Sequence, residues 1–541
     1  MRHSKDELTQ HLAARWCWQV ARRDATRVAR RLDRQQEVEG VYRLDDGAVL
    51  DDCCPCLQSS GVMALLEQVH GRAIQREMVP YGPSVVRDGL KTRFGIDRMT
   101  ALPALVFSDA ALMQLVGFHA QQVRQGVCQR GATKRPGART PGPIRPETLA
   151  NNSVKRNVRD LERLFTGAMR ALAHAGLFGK QVTGMVDATE LETTARSAGC
   201  GQATRQRPVT DQHGRGQASD VSVYGWQLLV VSDARTKLPW AAQGVPIQAP
   251  ETLLLRALVT PARTNGAGAA RLHKVVCAKG FGDGTDVGWL DQRGIPVVVP
   301  ANAKMAGTAE AQAHAAAGAG LTVGRRTQTV RHGHGTTAWP ERLATAVVGL
   351  TSLTTADQDG TPEQARHAHR RAVQANPLHA VVVRQGPSTD YGPGGKTVVL
   401  TNAAGQRPVP PFADADDRRR MEHGCLKEAK QPWDLGHPPQ QTARAVRVPG
   451  VFTLLLCALA TASRLERERE ARGGEPVGWQ RWRRQLREQT REQVIGFAQG
   501  SYGMFHLAEY SLLVGVKRKD RPPGVGSHQA IWAQYGLRSR R

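Results

Sequence analysis

The sequence predicts a multi-domain α/β protein, on three observations. Short β-branched, apolar runs alternate with helical segments through the middle of the chain. Stretches of helical periodicity with few breakers flank that middle on both sides. The chain is 541 residues long and 40% hydrophobic, enough to bury real cores, and its length suggests about two to four domains.

Residues 1–130 read as a helical N-terminal region. Leu12 to Arg34 is rich in Ala and Arg, and Ser108 caps a helix running to Gln125 with Asp109 in its first turn. Residues 131–178 are a Gly/Pro/Arg-rich linker followed by a helix from about Pro146 to Ala175, with Val154, Val158, Leu161, Leu164 and Phe165 at helical spacing. From residue 179 to 323 the period changes. Val182 to Val186 is a short strand ending at Asp187, Tyr224 to Ser232 a strong strand, and Trp240 to Pro246 another. Glu251 to Leu258 is helical with Pro250 just before it, where a helix start tolerates proline. Lys274 to Cys277 is a strand, Val287 to Gln292 a short helix and Ile295 to Val299 a strand. Residues 324–402 are β-rich, with Thr345 to Leu350, Ala380 to Arg384 and Thr397 to Thr401 set between turn clusters. Residues 403–465 form the next region, helical from Asp416 through Ser463, and 466–541 is expected to be a basic helical C-terminal tail.

Charge narrows the class of partner. The 74 Lys and Arg residues against 48 Asp and Glu leave a formal net charge of +26. Such a surplus on a chain with real cores calls for a polyanion, and nucleic acid is the first candidate, because Lys and Arg gain affinity by releasing phosphate counterions. Met1 to Glu7 is polar with no apolar run behind it, and Val451 to Ala462, the longest apolar stretch, is too short to span a bilayer and reads as a buried helix. The expectation is a cytoplasmic protein, nucleoid-associated when bound to DNA, with no membrane partner. Nine scattered cysteines fit a reducing compartment. Cys53, Cys54 and Cys56 lack a fourth zinc ligand at matching spacing and read as ordinary thiols; His332 and His334 fit either a zinc ligand pair or a plain or phosphate-contacting loop.

Cutting a phosphodiester commonly uses two divalent cations, and magnesium takes carboxylate oxygens. Acids at strand ends and on a helix are therefore the residues to find. Asp187 follows an apolar strand, a position that suits a metal ligand or the start of a turn. Glu422 lies in a helical run with Arg418 one turn before it and Lys430 about two turns after, a pattern that suits a metal ligand between phosphate-holding cations or a solvated helix face. Glu428 is a solvated acid or a substitute ligand. Gly280-Phe-Gly-Asp-Gly hints at a dinucleotide loop, but the third glycine of that pattern falls at Thr285 and no acid follows the next strand, so no nicotinamide cofactor is expected.

The run Val275-Val-Cys-Ala-Lys-Gly-Phe281 with its Gly/Asp turn and Trp289-Leu290, taken with Asp187-Ala-Thr-Glu, Gly199-Cys-Gly, Tyr224-Gly-Trp, Lys237-Leu-Pro, Leu353-Thr-Thr, Gly394-Gly-Lys-Thr-Val-Val-Leu-Thr-Asn402 and Lys430-Gln-Pro-Trp-Asp-Leu-Gly-His437, resembles the bacterial insertion-sequence DDE transposases of the IS-four group over about Leu105 to Arg464. The resemblance implies an RNase H-like mixed sheet flanked by helices, interrupted by a β-rich insertion over 324–402. It implies a metal-dependent enzyme that binds element ends, cuts DNA and joins it to a target, using Mg²⁺ or Mn²⁺ and acting as a homodimer on DNA, with the N-terminal region (1–130) helping to bind the element ends and the C-terminal tail dimerising. By position the first aspartate is Asp187 and the glutamate Glu422, both metal ligands, with Arg418 and, more loosely spaced, Lys430 on phosphate.

The departures shape the expectation. The second aspartate position is Ala278, the arginine expected beside it is Lys279, and the tyrosine of the last helix is Ala415. Asp283 and Asp286 follow closely, as substitute ligands or as acids capping the short helix. Alanine cannot hold a cation, so the expectation is a transposase that binds DNA and cuts it poorly or not at all; the alternative is a non-catalytic DNA-binding relic or a repressor of transposition.

Overall fold

The computed structural model describes residues 21–43, 59–62, 64–65, 110–115, 158–195, 200–210, 216–251, 254–266, 268–278, 281, 284–301, 306–317, 321–326, 329–332, 335–338, 342–350, 378–385, 396–402, 426, 429, 443–470, 493–515 and 533–537. In chain order the elements are β1 (Arg22–Arg23), α1 (Ala25–Asp33), β2 (Gly40–Arg43), α2 (Ala110–Leu115) and α3 (Val158–His174). There follow β3 (Gln181–Thr193), β4 (Gly201–Thr210), β5 (Gly216–Asp233), β6 (Pro239–Pro246), α4 (Leu255–Asn265), β7 (Arg271–Cys277), α5 (Gly284–Asp291), β8 (Val297–Pro300) and α6 (Ala306–Ala316). The remainder are β9 (Leu321–Arg326), β10 (Thr329–His332), β11 (Gly335–Ala338), β12 (Arg342–Leu350), β13 (Leu378–Gln385), β14 (Lys396–Thr401), α7 (Ala443–Glu470), β15 (Gln493–Ala498), β16 (Ser501–His506) and α8 (Leu507–Leu513). Two compact units result, one of Met1–Ala171, Pro432–Asp434 and Arg444–Arg541, the other of Leu172–Gln431 and Leu435–Ala443.

The second unit is an α/β fold built on a ten-stranded mixed sheet, ordered β4-β5-β3-β7-β8-β14-β13-β12-β9, with β6 also paired to β5. β3, β7 and β8 run parallel, β5 is antiparallel to β3, and β6 is antiparallel to β5. The apolar runs Val275–Cys277 and Val297–Val299 are buried throughout, as central parallel strands covered on both faces must be. Parallel neighbours need crossover connections, and α5 supplies the one from β7 to β8, while α4 leads from β6 into β7 and packs on β5, β6 and β7. The helix expected from Glu251 starts later, at Leu255, and carries Pro261 within it.

One strand differs from the sequence reading in a way that matters for the site. β3 does not stop at Asp187; it continues to Thr193, paired with β5 as far as Thr193↔Tyr224. Its parallel pairing with β7 does stop there, the last partners being Val186↔Cys277. Among the described residues of 321–402, β14 pairs antiparallel with β8, so β14, β13, β12 and β9 extend the main sheet, with α6 packed on β12–β14.

In the first unit, helices occupy both terminal regions as expected, and a sheet joins them. Its order is β1-β16-β15-β2, with strands from residues 22–43 alternating with the hairpin over 493–506. Side chains of β15 alternate sides. Val494 and Ala498 pack with Val28, Ala29 and Leu32 of α1 and with Leu512 and Leu513 of α8, while Ile495 and Phe497 pack with Ala111 and Leu115 of α2. The tail aromatics Phe497, Tyr502 and Phe505 are therefore strand residues, buried from both sides. In the long α7, Val451, Leu454, Leu455 and Cys457 to Ala462 are buried, as its apolar run requires. No helix among the described residues is long and apolar enough to cross a membrane.

Candidate active site

Position 278 stands beside Asp187. The Ala278 amide donates to the Val186 carbonyl at 2.9 Å, continuing the parallel ladder one step past Val186↔Cys277. Neighbouring strands lie about 4.8 Å apart, so these two positions are within reach of one ion. They also share a face. Met185, Val276, Val298, Val399 and Val381 form one apolar cluster across β3, β7, β8, β14 and β13. Asp187 lies two residues beyond Met185 and Ala278 two beyond Val276, so both fall on that face, just past the end of its apolar row. Asp187 is half-buried, and one of its oxygens accepts from the Ala188 amide at 2.9 Å.

The opposite face of β3 holds Glu190 and Glu192, with Gln227 beside Glu190 on β5. Arg205 of β4 reaches Glu190 at 2.6 Å, and Arg207 pairs with Glu192. In the ladders Glu190 stands opposite Gln227 whereas Arg205 stands opposite Val221, so β5 must curl along its length to bring them together. Gly225 lies between, where a Cβ would collide with the Leu191 carbonyl oxygen. Gln227 donates to Glu251, whose pKa is raised by burial, against the pull of the Gln227 hydrogen bond and the nearby Arg205 charge.

Asp286 sits in the first turn of α5 and is buried. Its carboxylate accepts from the Arg256 backbone amide at 3.3 Å and pairs with the Arg256 guanidinium at 3.3 Å. The start of α4, whose N-cap Leu254 offers no side-chain acceptor, is thus capped by an acid from another helix. Arg256 and Arg293 both lie over the Trp289 ring, at 5.4 and 4.2 Å. Asp286 and Trp289 therefore act together in clamping α4 to α5.

Asp233 and Asn402 are polar anchors that the sequence reading passed over. Asp233 is buried and accepts from the Thr236 hydroxyl at 2.6 Å, closing the β5–β6 turn in which Lys237 takes φ 65°. Asn402, just after β14, accepts from the Val297 amide at 2.7 Å and donates to Asp291 and to the Ile295 carbonyl, fixing the entry of β8. An Asp or Asn at a strand end beside a turn is the only local signal for either.

Asp283, Lys279, Ala415, Arg418, Glu422, Glu428 and Lys430 lie outside the described residues, as do Cys53, Cys54, Cys56 and His334. Leu426 and Ala429 are helical and buried, in the stretch where the last helix of the site is expected. His332 pairs with Gly335 across the β10–β11 hairpin. Among the described residues no group of three or more His, Cys, Asp and Glu side chains could hold a metal ion.

No family model matches the chain, and no curated protein matches it. Among solved structures, a piggyBac transposase synaptic complex with hairpin DNA is similar, at 10% identity and a TM-score of 0.35 over 86% of this chain and 80% of that one. That likeness is too slight to bear on fold or function.

Proposed function

We propose that this chain is a DNA-acting protein of the insertion-sequence transposase type, with an RNase H-like core, whose catalytic site has lost one carboxylate. The observation that carries the reading is the placement of Ala278 beside Asp187, on one face of two parallel strands. The strand order β6-β5-β3-β7-β8, with β3, β7 and β8 parallel and β5 reversed, is the arrangement an RNase H-like sheet requires. In such a site divalent metal supplies charge neutralisation at the phosphate. Asp187 and Glu422 are the residues left to hold it, with Arg418 and Lys430 on the DNA backbone. Ala278 gives no oxygen, and the Asp286 carboxylate is engaged by Arg256, so the described residues do not fit a two-ion clamp. The chain therefore binds DNA, as its net charge of +26 favours, and cuts it poorly or not at all. The companion reading is a non-catalytic DNA-binding relic or repressor of transposition; only the metal site separates the two, and Ala278 favours this companion.

Calorimetry with Mg²⁺ and Mn²⁺, with and without duplex DNA, tests this on the natural chain and on Ala278→Asp. The expected result is DNA binding by both proteins, with metal binding and strand nicking gained only by Ala278→Asp. Failure of the natural chain to bind DNA overturns the reading, as does brisk Mg²⁺-dependent cleavage by the natural chain.

A further inference from the structure

The face of the main sheet opposite Asp187 carries a polar patch that the proposed reaction does not use. Gln227 of β5 stands between Glu190 of β3 and Val245 of β6, and Gln243 of β6 lies two residues from Val245 on that same face. Glu251, between the end of β6 and the start of α4, reaches this patch, where the Gln227 side-chain amide donates to one of its oxygens. Gln227 is 4% exposed. Its own oxygen, Oε1, is buried and has no hydrogen-bond partner among the described residues.

A buried amide oxygen needs a donor, because leaving it unmade forfeits its hydration for nothing. The neighbouring cation does not supply one. Arg205 gives its Nε and Nη2 to Glu190 and its Nη1 to the Thr204 carbonyl. Glu251 itself is poorly placed to carry a charge. Burial raises its pKa above the ordinary 4.5, and so does Glu190 of β3; the Gln227 hydrogen bond and Arg205 of β4 pull the other way and do not prevail. Arg256, at the start of α4, is engaged by Asp286 and lies over Trp289.

We infer that Glu251 holds a proton and pairs with Gln227 through two reciprocal hydrogen bonds, acid to amide and amide to acid, which fasten the entry of α4 to β5. The Glu251 hydroxyl donates to Gln227 Oε1, and the Gln227 Nε2–H donates to the other Glu251 oxygen, so the orphaned acceptor gains its donor. Ionisation of Glu251 removes the first bond and keeps the second. The pair is complete below the ordinary 4.5 and becomes half-made as pH rises through the raised folded pKa. The start of α4 thus has two acid anchors of opposite kind. Asp286 holds it as an anion, through Arg256 and its amide, and Glu251 holds it as a neutral acid. This proton site stands whether or not the chain acts on DNA.

The test is NMR of the full chain, labelled with ¹³C at glutamate carboxyls and ¹⁵N at glutamine side-chain amides, titrated from acid to neutral pH. Glu251→Gln and Gln227→Leu assign the two signals. In the natural chain the Glu251 carboxyl should titrate with a midpoint above 4.5, and the Gln227 amide should shift with the same midpoint. In Glu251→Gln the Gln227 amide should stop titrating, because the substituted amide donates to Oε1 at every pH. A Glu251 midpoint at or below 4.5 overturns the inference. So does a Gln227 amide that ignores the Glu251 titration, or one that still follows pH in Glu251→Gln. Should one variant fail to fold, the other still assigns its signal, and a coincident midpoint of a carboxyl and an amide in the natural chain carries the result.

Discussion

One face of β3 presents Glu190 and Glu192, the other Asp187, and these acids have different surroundings. Curling of β5 brings Arg205 and Arg207 onto the two glutamates, so each carboxylate has a cation in contact. On the other face the adjoining strand brings a methyl group, Ala278, alongside Asp187. The three acids lie within six residues of one another. What separates them is strand parity, which assigns each to a face, and the chemistry that neighbouring strands bring to that face. An acid on a strand is a candidate ligand only where its face offers a second oxygen. Beside Asp187 the neighbouring position on that face is Ala278, which offers no oxygen.

The largest expected effect comes from placing a carboxylate beside Asp187. Ala278→Asp should tighten Mn²⁺ binding by about 10²-fold or more, consistent with metals being held by several carboxylates, and Asp187→Asn in the same protein should abolish the gain. Calorimetric titration reads both. If Asp187→Asn leaves the gain intact, the two positions do not share an ion and the contrast between the faces collapses.

Next in size is Asp286→Asn. Removing the charge that caps α4 and pairs with Arg256 should cost about 1–3 kcal/mol in urea unfolding, because a buried charge-assisted bond is lost. Metal affinity of the Ala278→Asp protein should be unmoved by it. A fall in affinity would make Asp286 a ligand and shift the site toward α5.

Glu251 gives a smaller effect with a definite sign. Burial raises its pKa above the ordinary 4.5, so the folded state disfavours its ionised form. The favourable contribution of the protonated group is fully present below that ordinary value and is lost as pH rises through the folded pKa. Glu251→Gln, which keeps an oxygen for Gln227, should raise Tm by about 1–3 °C near pH 7, and the gain should vanish below pH 4.5. Thermal melts across pH check it; a gain that persists in acid would point to packing instead.

The smallest effect is expected from Arg207→Gln. Arg207 and Glu192 are both about two-fifths exposed, so the pair should contribute no more than about 0.5–1 kcal/mol, fading with salt. Denaturant midpoints at low and high salt measure it. A loss several times larger would mean that the curl of β5 depends on this pair.

The strands most legible in the sequence are those the sheet buries deepest. Val275–Cys277, Val297–Val299, Ala380–Val382 and Val398–Leu400 sit in the interior of the sheet, and their apolar runs carry the signal locally. β4 carried no such signal. Its Gln202, Arg205, Gln206 and Arg207 look like loop residues, and Arg205 and Arg207 find their partners on β3, across β5. The terminal sheet was hidden for a related reason. Arg22 and Arg23 belong to a stretch of good helix formers, and pairing with Ser501 and Tyr502, hundreds of residues later, makes a strand of them. That Asp187 and Ala278 stand side by side follows from the pairing of β3 with β7, which neither apolar run shows by itself. The commitment of Asp286 to Arg256 was not legible either, since it joins two helices through a contact with no periodic trace.

The pairing of Arg22 with Ser501 also sets a clock on synthesis. A ribosome adding roughly 5–20 residues per second needs about half a minute to a minute and a half to travel from one partner to the other. Throughout that interval α1 has no sheet to bury Val28, Ala29 and Leu32 against, and Arg27 has no Gln499 to accept its hydrogen bond. A polypeptide released early, or clipped before residue 493, is left with an unfinished terminal unit. The hairpin over 493–506 must therefore be made before α1 can bury its apolar side.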